Sequence, residues 1–507
     1  MKSLRIAFAL LFLAAFSFSA AAQERYTGDR ECGTEGLHPN LLKYRAGEYP
    51  AAQKSATTLF VPSRFIIFGD NDGNGYIDPQ KLLRSFNLLN SDFEDMNIQF
   101  YISEVDYVNR SAFNDHENFS TGNTMMAQNN KRGVINNYIV ANPAGACGYY
   151  SPGPDALALG KNCMGASDRT WSHEMGHLLT LPHTFFGWES VEKIDSIDLE
   201  NPAPATVNFR GEDILVERMD SSNCLDAADG FCDTAPDYLM QRWTCNGDGM
   251  YRDSLLDPDS TRFAVSGFNV MSYALDNCIG GFSEEQKTAM QTDLARRQLA
   301  NDSGAGAVAA NGDDMNLLLP EHLSTLEVSD RVELIWNSVP NADYYVVQLN
   351  NSSNFNGEVL RSFLVSDTIA VIENGLQPNQ RYFWKVRPLN SYVVESEFGE
   401  QTFRFKNGEF ATSTIDAALD AAITASPNPV SAGRELLVTG RDLGRNGSMS
   451  LELIDAAGRV LVSRESINVN AAGFTERVPT EGLPTGVYFL RLRLNNRLVT
   501  KRVMVTF

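Results

Sequence analysis

Three histidines and one glutamate stand together in the run HEMGHLLTLPH, at the spacing of a zinc site with its own base. His173 and His177 are four residues apart, so a helix over residues 171–179 would place both imidazoles on one face. Glu174 would lie beside that pair, where it could take a proton from a water held by zinc. The proline that follows ends the helix, and the chain can then return His183 as a third ligand. The pattern predicts an open, catalytic zinc site.

A surface helix with a few solvated histidines is the alternative for any HExxH motif. The chain has only 6 histidines, however, and three of them lie in this one stretch. That concentration favours a metal site.

Three motifs in order along the chain carry a family resemblance. The zinc-binding stretch resembles the metzincin signature HExxHxxGxxH, and the HTF at residues 183–185 is similar to the pappalysin, or cytophagalysin, metallopeptidases. NVMSYALDNC resembles the family's Met-turn, and NCLDAADGFCDTAPD resembles its cysteine-bearing segment. The resemblance implies that Met271 lies beneath the zinc as a hydrophobic floor and that Tyr273 stabilises the tetrahedral intermediate.

One position departs from the signature, because its glycine is Thr180 here. A β-branched residue in a left-handed conformation costs roughly 1–2 kcal/mol. Either the turn is made differently, through Leu181 and Pro182, or the site carries strain. The orientation of His183 toward the metal depends on this position, and so does the full activity of the enzyme.

Acidic residues near these motifs suggest specificity and a second metal. Asp276 resembles the acid that floors the pocket for the residue after the scissile bond, which would favour arginine or lysine there. A loop-capping role for Asp276 is equally compatible with the sequence. Asp229 and Asp233 are candidate calcium ligands because hard cations bind loop carboxylates, although they could equally be turn formers.

The N-terminus indicates export. Lys2 and Arg5 precede the apolar run 6–18, and three alanines follow at 20–22, so residues 1–22 read as a signal peptide. No later stretch approaches 18 apolar residues, and no transmembrane segment is expected. The protein is predicted to be secreted or held at the cell surface.

An exported chain can form disulfides, and six of its seven cysteines lie in the segment that carries the zinc motifs. Composition and spacing leave about fifteen pairings open. The family resemblance implies the pairs Cys147–Cys163, Cys224–Cys245 and Cys232–Cys278.

Cys32 is left over, in a short segment at 23–55 that reads as a prosegment. A thiolate is an excellent zinc ligand. By resemblance to the family's cysteine switch, Cys32 would fill the fourth position at the zinc and keep the enzyme latent until the prosegment is removed. An incidental thiol or an intermolecular disulfide is the alternative.

Composition limits the partners and sets the number of domains. The 507 residues include 63 acidic and 42 basic ones, which argues against nucleic acid and against anionic membranes. The length and the 43% apolar content allow about three domains. We predict a mixed α/β (α+β) metzincin-type catalytic domain followed by two all-β sandwich domains.

The catalytic domain is expected over residues 56–300, with a helix that begins at Pro79 and is capped by Asp78. Its other predicted elements are strands at 63–68, 97–105 and 133–140 and a closing helix through Leu299 that starts at a capping box of Ser283 and Gln286.

A linker at 301–316 leads to residues 317–412, where alternating strands at 332–336, 344–349 and 382–386 resemble a fibronectin type III domain. The last segment, 426–507, opens with SPNP and closes with GVYFLRL, and it resembles the C-terminal sorting domain of the type IX secretion system. This resemblance implies export by an outer-membrane secretion machinery. A further adhesion module is the alternative.

The sequence therefore predicts a secreted zinc endopeptidase that acts on protein or peptide substrates and is made as a latent zymogen. One alternative is a catalytically weak metzincin-like module that binds protein through its fibronectin-like domain. Thr180 favours that alternative and Glu174 argues against it. Another is a peptidase-fold enzyme that acts on a non-protein amide.

Overall fold

The computed structural model describes most of the chain after the predicted signal peptide, which lies outside the described residues. The described ranges are 30–34, 36–52, 55–190, 200–301, 303–355, 360–373, 376–408, 417–441, 443, 447–455, 459–494 and 497–506. The described residues form two compact units: those within Met1–His322, Glu333–Ile372 and Tyr382–Arg404 form one, and those within Leu323–Val332, Glu373–Arg381 and Phe405–Phe507 form the other.

β-Strand is the commonest regular structure among the described residues, and the helices are concentrated in the first 300 residues. The helices are α1 Pro39–Arg45, α2 Pro79–Phe93, α3 Ser111–Asn114, α4 Phe119–Asn129, α5 Thr170–Leu178, α6 Glu284–Arg297 and α7 Ala417–Ala422. The strands of the N-terminal part are β1 Arg30–Cys32, β2 Leu59–Gly69, β3 Ile98–Asn109, β4 Asp115–His116, β5 Ile135–Val140, β6 Asn142–Pro143, β7 Ala146–Ser151, β8 Ala156–Gly160, β9 Thr206–Phe209, β10 Glu212–Leu215, β11 Leu255–Leu256 and β12 Arg262–Phe263. The later strands are β13 Leu317–Leu319, β14 Ser324–Thr325, β15 Arg331–Trp336, β16 Tyr344–Asn350, β17 Arg361–Val365, β18 Ile369–Glu373, β19 Arg381–Leu389, β20 Phe403–Lys406, β21 Ile423–Ser426, β22 Val430–Ser431, β23 Glu435–Arg441, β24 Gly447–Ile454, β25 Val460–Val469, β26 Gly473–Pro479, β27 Gly486–Leu494 and β28 Arg497–Thr506.

A six-stranded sheet in the order β1-β7-β8-β5-β2-β3 organises the N-terminal part. Its pairs are parallel except for β7 with β8. Helices α2 and α5 pack on this sheet through three aromatic rings, Phe65, Phe86 and Trp171, whose centroids lie 5.0–5.4 Å apart. The sheet and α2 thus hold α5, the helix that carries the HExxH motif, in a fixed position on the face of the sheet.

The helix caps predicted from the sequence are confirmed. Asp78 accepts a hydrogen bond from Gln80 N at 3.1 Å at the start of α2, and Ser283 with Gln286 forms the capping box of α6. Helix α6 ends two residues earlier than predicted because Gln298 takes the left-handed conformation, with φ 55°. The strands expected at 63–68, 97–105 and 133–140 are confirmed as β2, β3 and β5.

Two pairs of sheets follow, one in each all-β segment expected from the sequence. The first pair has the orders β13-β15-β18 and β14-β20-β19-β16-β17, and two of its aromatic residues, Trp336 and Tyr382, are 1% and 2% exposed. The second pair has the orders β21-β23-β26 and β22-β28-β27-β24-β25. The predicted domain boundaries themselves stay a prediction. No helix among the described residues has the length and apolar character needed to cross a membrane.

Candidate metal centre

Helix α5 presents the first two histidines of the motif. His173 and His177 lie one turn apart, with ring centroids 4.8 Å from each other. The Trp171 indole donates to Asn137 Oδ1 at 3.0 Å and ties the helix to β5. Every residue from Trp171 to Leu178 is buried, so both imidazoles are held in place away from water.

The helix ends in a left-handed turn at Thr180, whose φ is 90°. Leu181 N donates to Gly176 O at 2.9 Å and Thr180 N donates to His177 O at 3.0 Å, which are the two bonds of a Schellman motif. Thr180 thus takes the conformation that glycine adopts at no cost, and the strained alternative predicted from the sequence is the one observed. The strain costs roughly 1–2 kcal/mol. The turn brings His183 back toward the helix.

All three imidazoles are oriented through Nδ1. His173 and His177 each donate from Nδ1 to a backbone carbonyl oxygen, at 2.8 and 2.7 Å, and His183 Nδ1 lies 3.2 Å from Glu189 Oε1. Because a carbonyl oxygen can only accept, the first two rings must carry their proton on Nδ1. The Nε2 atoms then face one another, 3.2 Å apart in His173 and His177 and 3.3 Å apart in His177 and His183.

This arrangement fits a zinc ion. Burial lowers the pKa of His173 to about 3, helped by the neighbouring His183, and burial also lowers the pKa of His177 well below its ordinary value. Neutral imidazoles with opposed Nε2 lone pairs repel each other unless a cation lies between them. Three such nitrogens are a donor set that zinc accepts.

Cys32 completes the cluster. Its Sγ and the three histidine ligand atoms all lie within 4.8 Å of one another, and all four residues are buried. Burial raises the pKa of the Cys32 thiol, and the charge of Glu174 raises it further. A cation at this point would hold the sulfur as a thiolate. Strand β1 places the cysteine, since Cys32 pairs with Gly148 of β7 at the edge of the large sheet.

Glu174 is completely buried beside the cluster. Thr34, two residues after the cysteine, donates from Oγ1 to Glu174 Oε2 at 3.1 Å. A side chain on Gly148 would come within 2.8 Å of Glu174 Cγ, so β7 runs directly against the glutamate. The segment that carries Cys32 therefore contacts both the histidine cluster and the candidate base.

Met271 packs against α5, and Tyr273 lies beside the cluster. Met271 Sδ would be 2.5 Å from a Cβ on Gly176, so the thioether packs directly under α5. The Tyr273 ring centroid lies 5.1 Å from that of His183 and 5.9 Å from that of His173. Its hydroxyl donates to Cys32 O at 3.5 Å.

Asp276 lies beside the cluster but has partners that sequence reasoning missed. Its Oδ1 accepts from Arg169 N at 3.1 Å, and its Oδ2 accepts from Arg242 Nη2 at 2.9 Å. The predicted preference for arginine or lysine depends on a carboxylate that lacks a partner, whereas the Asp276 carboxylate is paired. The sequence did not indicate that Arg242 pairs with Asp276, because Arg242 lies 34 residues before Asp276 in an irregular loop.

The disulfides correct two of the three implied pairs. Cys147–Cys163 is present as expected. The other bonds are Cys224–Cys232 and Cys245–Cys278, not Cys224–Cys245 and Cys232–Cys278. Cys224 and Cys232 are only eight residues apart and their loop folds back on itself, which brings their Cα atoms to 5.0 Å. Cys32 is the one free cysteine among the described residues.

The candidate calcium ligands separate into two roles. Asp233 accepts from Ser283 Oγ at 2.6 Å and from Glu285 N at 2.9 Å, so it caps α6 with both oxygens. Asp229 is fully buried, and its Oδ2 has no hydrogen-bond partner. Glu217, which sequence reasoning missed, is 2% exposed with both carboxylate oxygens unpartnered. Burial raises the pKa of Glu217 to about 9 and that of Asp229 to about 7.

Comparison with known proteins identifies the C-terminal end. Residues 425–506 match the secretion system C-terminal sorting domain. The protein is exported. It crosses the outer membrane to the cell surface or the extracellular space, and its sorting tail indicates the secretion machinery as a partner. No curated protein matches the chain significantly.

Solved structures give fibronectin III-like neighbours. The chain is similar to the FN1–FN3 domains of chicken CNTN1, at 11% identity over 40% of this chain and 69% of that chain, with a TM-score of 0.22. It is also similar to the fibronectin(III)-like modules of Clostridium thermocellum CbhA, at 10% identity over 38% and 92%, with a TM-score of 0.18. Dimeric latent PorU from Porphyromonas gingivalis matches at 10% identity over 40% and 20%, with a TM-score of 0.14.

Proposed function

We propose that this protein is a secreted zinc-dependent endopeptidase made in a latent form. The observation that carries the proposal is the convergence of His173, His177 and His183 through their Nε2 atoms, with Glu174 buried beside them. Zinc held by these imidazoles would supply a Lewis acid and lower the pKa of water to about 7.

Each residue of the site would then have its own role in the hydrolysis. Glu174 would accept the proton of the attacking water and pass it to the leaving amine. Tyr273 would donate a hydrogen bond from its hydroxyl to the developing negative charge on the carbonyl oxygen. Carbonyl oxygens hold the Nδ1 protons of His173 and His177, so the Nε2 lone pairs stay available to the metal.

A polypeptide substrate is supported by the prosegment itself. Residues 32–34 lie across the site as an extended chain, with Gly33 N donating to Gly148 O at 2.8 Å. Once this segment leaves, the edge of β7 next to Glu174 can pair with another extended peptide. An enzyme that acts on a small non-protein amide would not need the edge of a β-strand to bind its substrate.

Latency is supported by two contacts from one segment. Cys32 Sγ lies where a fourth zinc ligand would bind, and Thr34 holds Glu174. The first contact would exclude the attacking water, and the second would occupy the base.

A structural calcium ion would offset the charge of two buried carboxylates, one of which, Asp229, also lies near the Arg45 guanidinium. Glu217 and Asp229 offer unpartnered oxygens in the same acidic neighbourhood, since the charge of Asp229 contributes to the raised pKa of Glu217. We place the proposed ion with these two residues and leave Asp233 to the cap of α6.

The test is peptide-library cleavage by the full chain carrying both Cys32→Ala and Thr34→Ala, which removes the two latency contacts, with zinc content measured in the same samples. Glu174→Ala in that background is the matched control. We expect hydrolysis to fall by about 10³-fold in the control with zinc retained. A zinc-loaded protein that cuts no peptide would refute the peptidase and favour a binding module.

A further inference from the structure

Strand β3 is the outer strand of the six-stranded sheet, yet almost none of it faces solvent. It is 12 residues long, and Asn109 at its end is its only exposed residue. An uncovered edge strand of this length presents unpaired backbone groups that can pair with another chain, so proteins usually keep such strands short or cover them. Here another part of the same chain covers β3.

The loop that follows β19 lies along the open edge of β3. Ile102 N donates to Ser391 O at 3.0 Å, which gives β3 a backbone partner of the kind that a neighbouring strand would supply. The Tyr392 ring stacks on that of Tyr101, with centroids 4.5 Å apart, and it meets Phe60 of β2 edge-on at 5.5 Å. Backbone and aromatic contacts thus join this loop to the two strands at this side of the sheet.

Strands β16, β17 and β19 extend the contact with apolar side chains. Val346, Leu364 and Leu389, one from each strand, are at most 1% exposed and belong to the same apolar core as residues of β2, β3 and α2. Leu364 N also donates to the Tyr107 hydroxyl at 2.8 Å. A buried backbone N–H needs such a partner, so β3 supplies a hydrogen bond that β17 would otherwise lack.

The start of the predicted linker is packed into the same contact. Asn301 and Phe60 exchange backbone hydrogen bonds of 2.8 and 3.0 Å. The Tyr392 hydroxyl donates to Ser303 Oγ at 2.9 Å. A Cβ on Gly304 would lie 2.4 Å from the Phe60 ring and 2.4 Å from the Tyr392 ring, so this position has no room for a side chain.

We propose that β16, β17, β19 and the loop after β19, together called the brace, are a permanent structural part of the region that carries the histidine cluster, and not a spacer or a free binding module. The brace covers β3, which pairs with β2, and β2 pairs with β5. Strand β5 in turn holds α5 through the bond between Asn137 and Trp171. The brace therefore supports the sheet that positions α5, and the face of it that covers β3 is not available to another protein.

The experiment inserts the recognition sequence of a site-specific protease after Val308 in the full chain. Val308 is 61% exposed, and a cut there leaves the six-stranded sheet and the brace on separate pieces. Gel filtration at about 1 μM then shows whether the pieces stay together, which needs a dissociation constant below about that concentration. Hydrogen exchange at the amides of β3 is measured before and after the cut.

Two variants attack the contact, and each has a matched control. Tyr392→Ala removes the stacked ring, and Gly304→Leu forces a side chain between two rings. Val371→Ala is the control for the first, because Val371 lies on β18 and is 39% exposed. Gly247→Leu is the control for the second, because a Cβ at Gly247 would meet nothing within 4 Å.

We expect the pieces of the parent and of both controls to elute together and β3 to stay protected after the cut. In Tyr392→Ala and Gly304→Leu the pieces should separate, and exchange at the Ile102 amide should rise about tenfold already in the uncut chain. Separation of the cut parent, or variants that elute and exchange like their controls, would overturn the brace. The cut parent decides the matter even if a variant does not fold, and no measurement depends on hydrolysis, so this inference and the proposed peptidase can fail independently.

Discussion

The region around α5 and the C-terminal sorting domain bury opposite kinds of side chain. The first encloses ionisable groups, among them His173, Glu174, His177 and Glu217. In the described residues between 417 and 506, Thr480 is the only buried polar residue, and the remaining buried side chains are apolar. Burying charge costs free energy unless a partner compensates it. The proposed cations would supply that compensation in the first region, whereas the second needs apolar packing alone.

Removing metal should produce the largest difference between the two regions. A ligand present at about 1,000 times its dissociation constant stabilises the folded state by about 4 kcal/mol. We therefore expect a strong chelator to lower hydrogen-exchange protection in α5 and β7 and to leave β27 unchanged. His177→Ala should show the low protection with or without chelator. Equal loss in both regions, or no loss in either, would contradict the comparison.

A core truncation should have the reverse pattern. Leu490 is fully buried in β27, and Leu490→Ala should destabilise the sorting domain by about 3 kcal/mol. Leu461→Ala is the matched control, since Leu461 is 39% exposed and should change stability by less than about 0.5 kcal/mol. Chemical denaturation measures both variants, and zinc content should be the same in each. A loss of zinc in Leu490→Ala would show that the regions are not independent.

Glu217 should make stability depend on pH and calcium. Its folded pKa of about 9 lies above its ordinary value of 4.5, so the folded state binds more protons between these values. Stability is then full below about pH 4.5 and declines as the pH rises toward 9. In calcium-free buffer, Glu217→Gln should remove this decline and be roughly 2 kcal/mol more stable than the parent at pH 9. Added calcium should stabilise the parent and not the variant, and a parent indifferent to calcium would refute the proposed ion.

Thr180 should give the smallest effect. Thr180→Gly relieves the left-handed turn and should raise the free energy of unfolding by about 1 kcal/mol. Asn97→Gly is the comparison, because Asn97 also has a positive φ, of 55°, but asparagine tolerates that conformation. A destabilised Thr180→Gly would mean that the threonine side chain contributes packing that outweighs its strain.

Local patterns predicted much of the fold and the cluster. The spacing of His173, His177 and His183, the cap at Asp78 and the capping box at Ser283 depend on neighbours within a few residues. Contacts across long loops could not be read from the sequence. Arg242 reaches Asp276 over 34 residues, and Glu217 becomes buried only when the irregular segment after β10 folds. The disulfide pairing failed for the same reason, since the path of that segment decides which cysteines meet.

X-ray absorption at the zinc edge of the latent full-length protein and of its Cys32→Ala variant tests the proposed zinc site most directly. We predict three nitrogen ligands at about 2.0 Å and one sulfur at about 2.3 Å in the latent protein. The variant should keep the nitrogens and replace the sulfur by an oxygen. A latent protein that binds no zinc, or whose zinc has no sulfur ligand, would contradict the cluster of Cys32, His173, His177 and His183 as a locked catalytic centre.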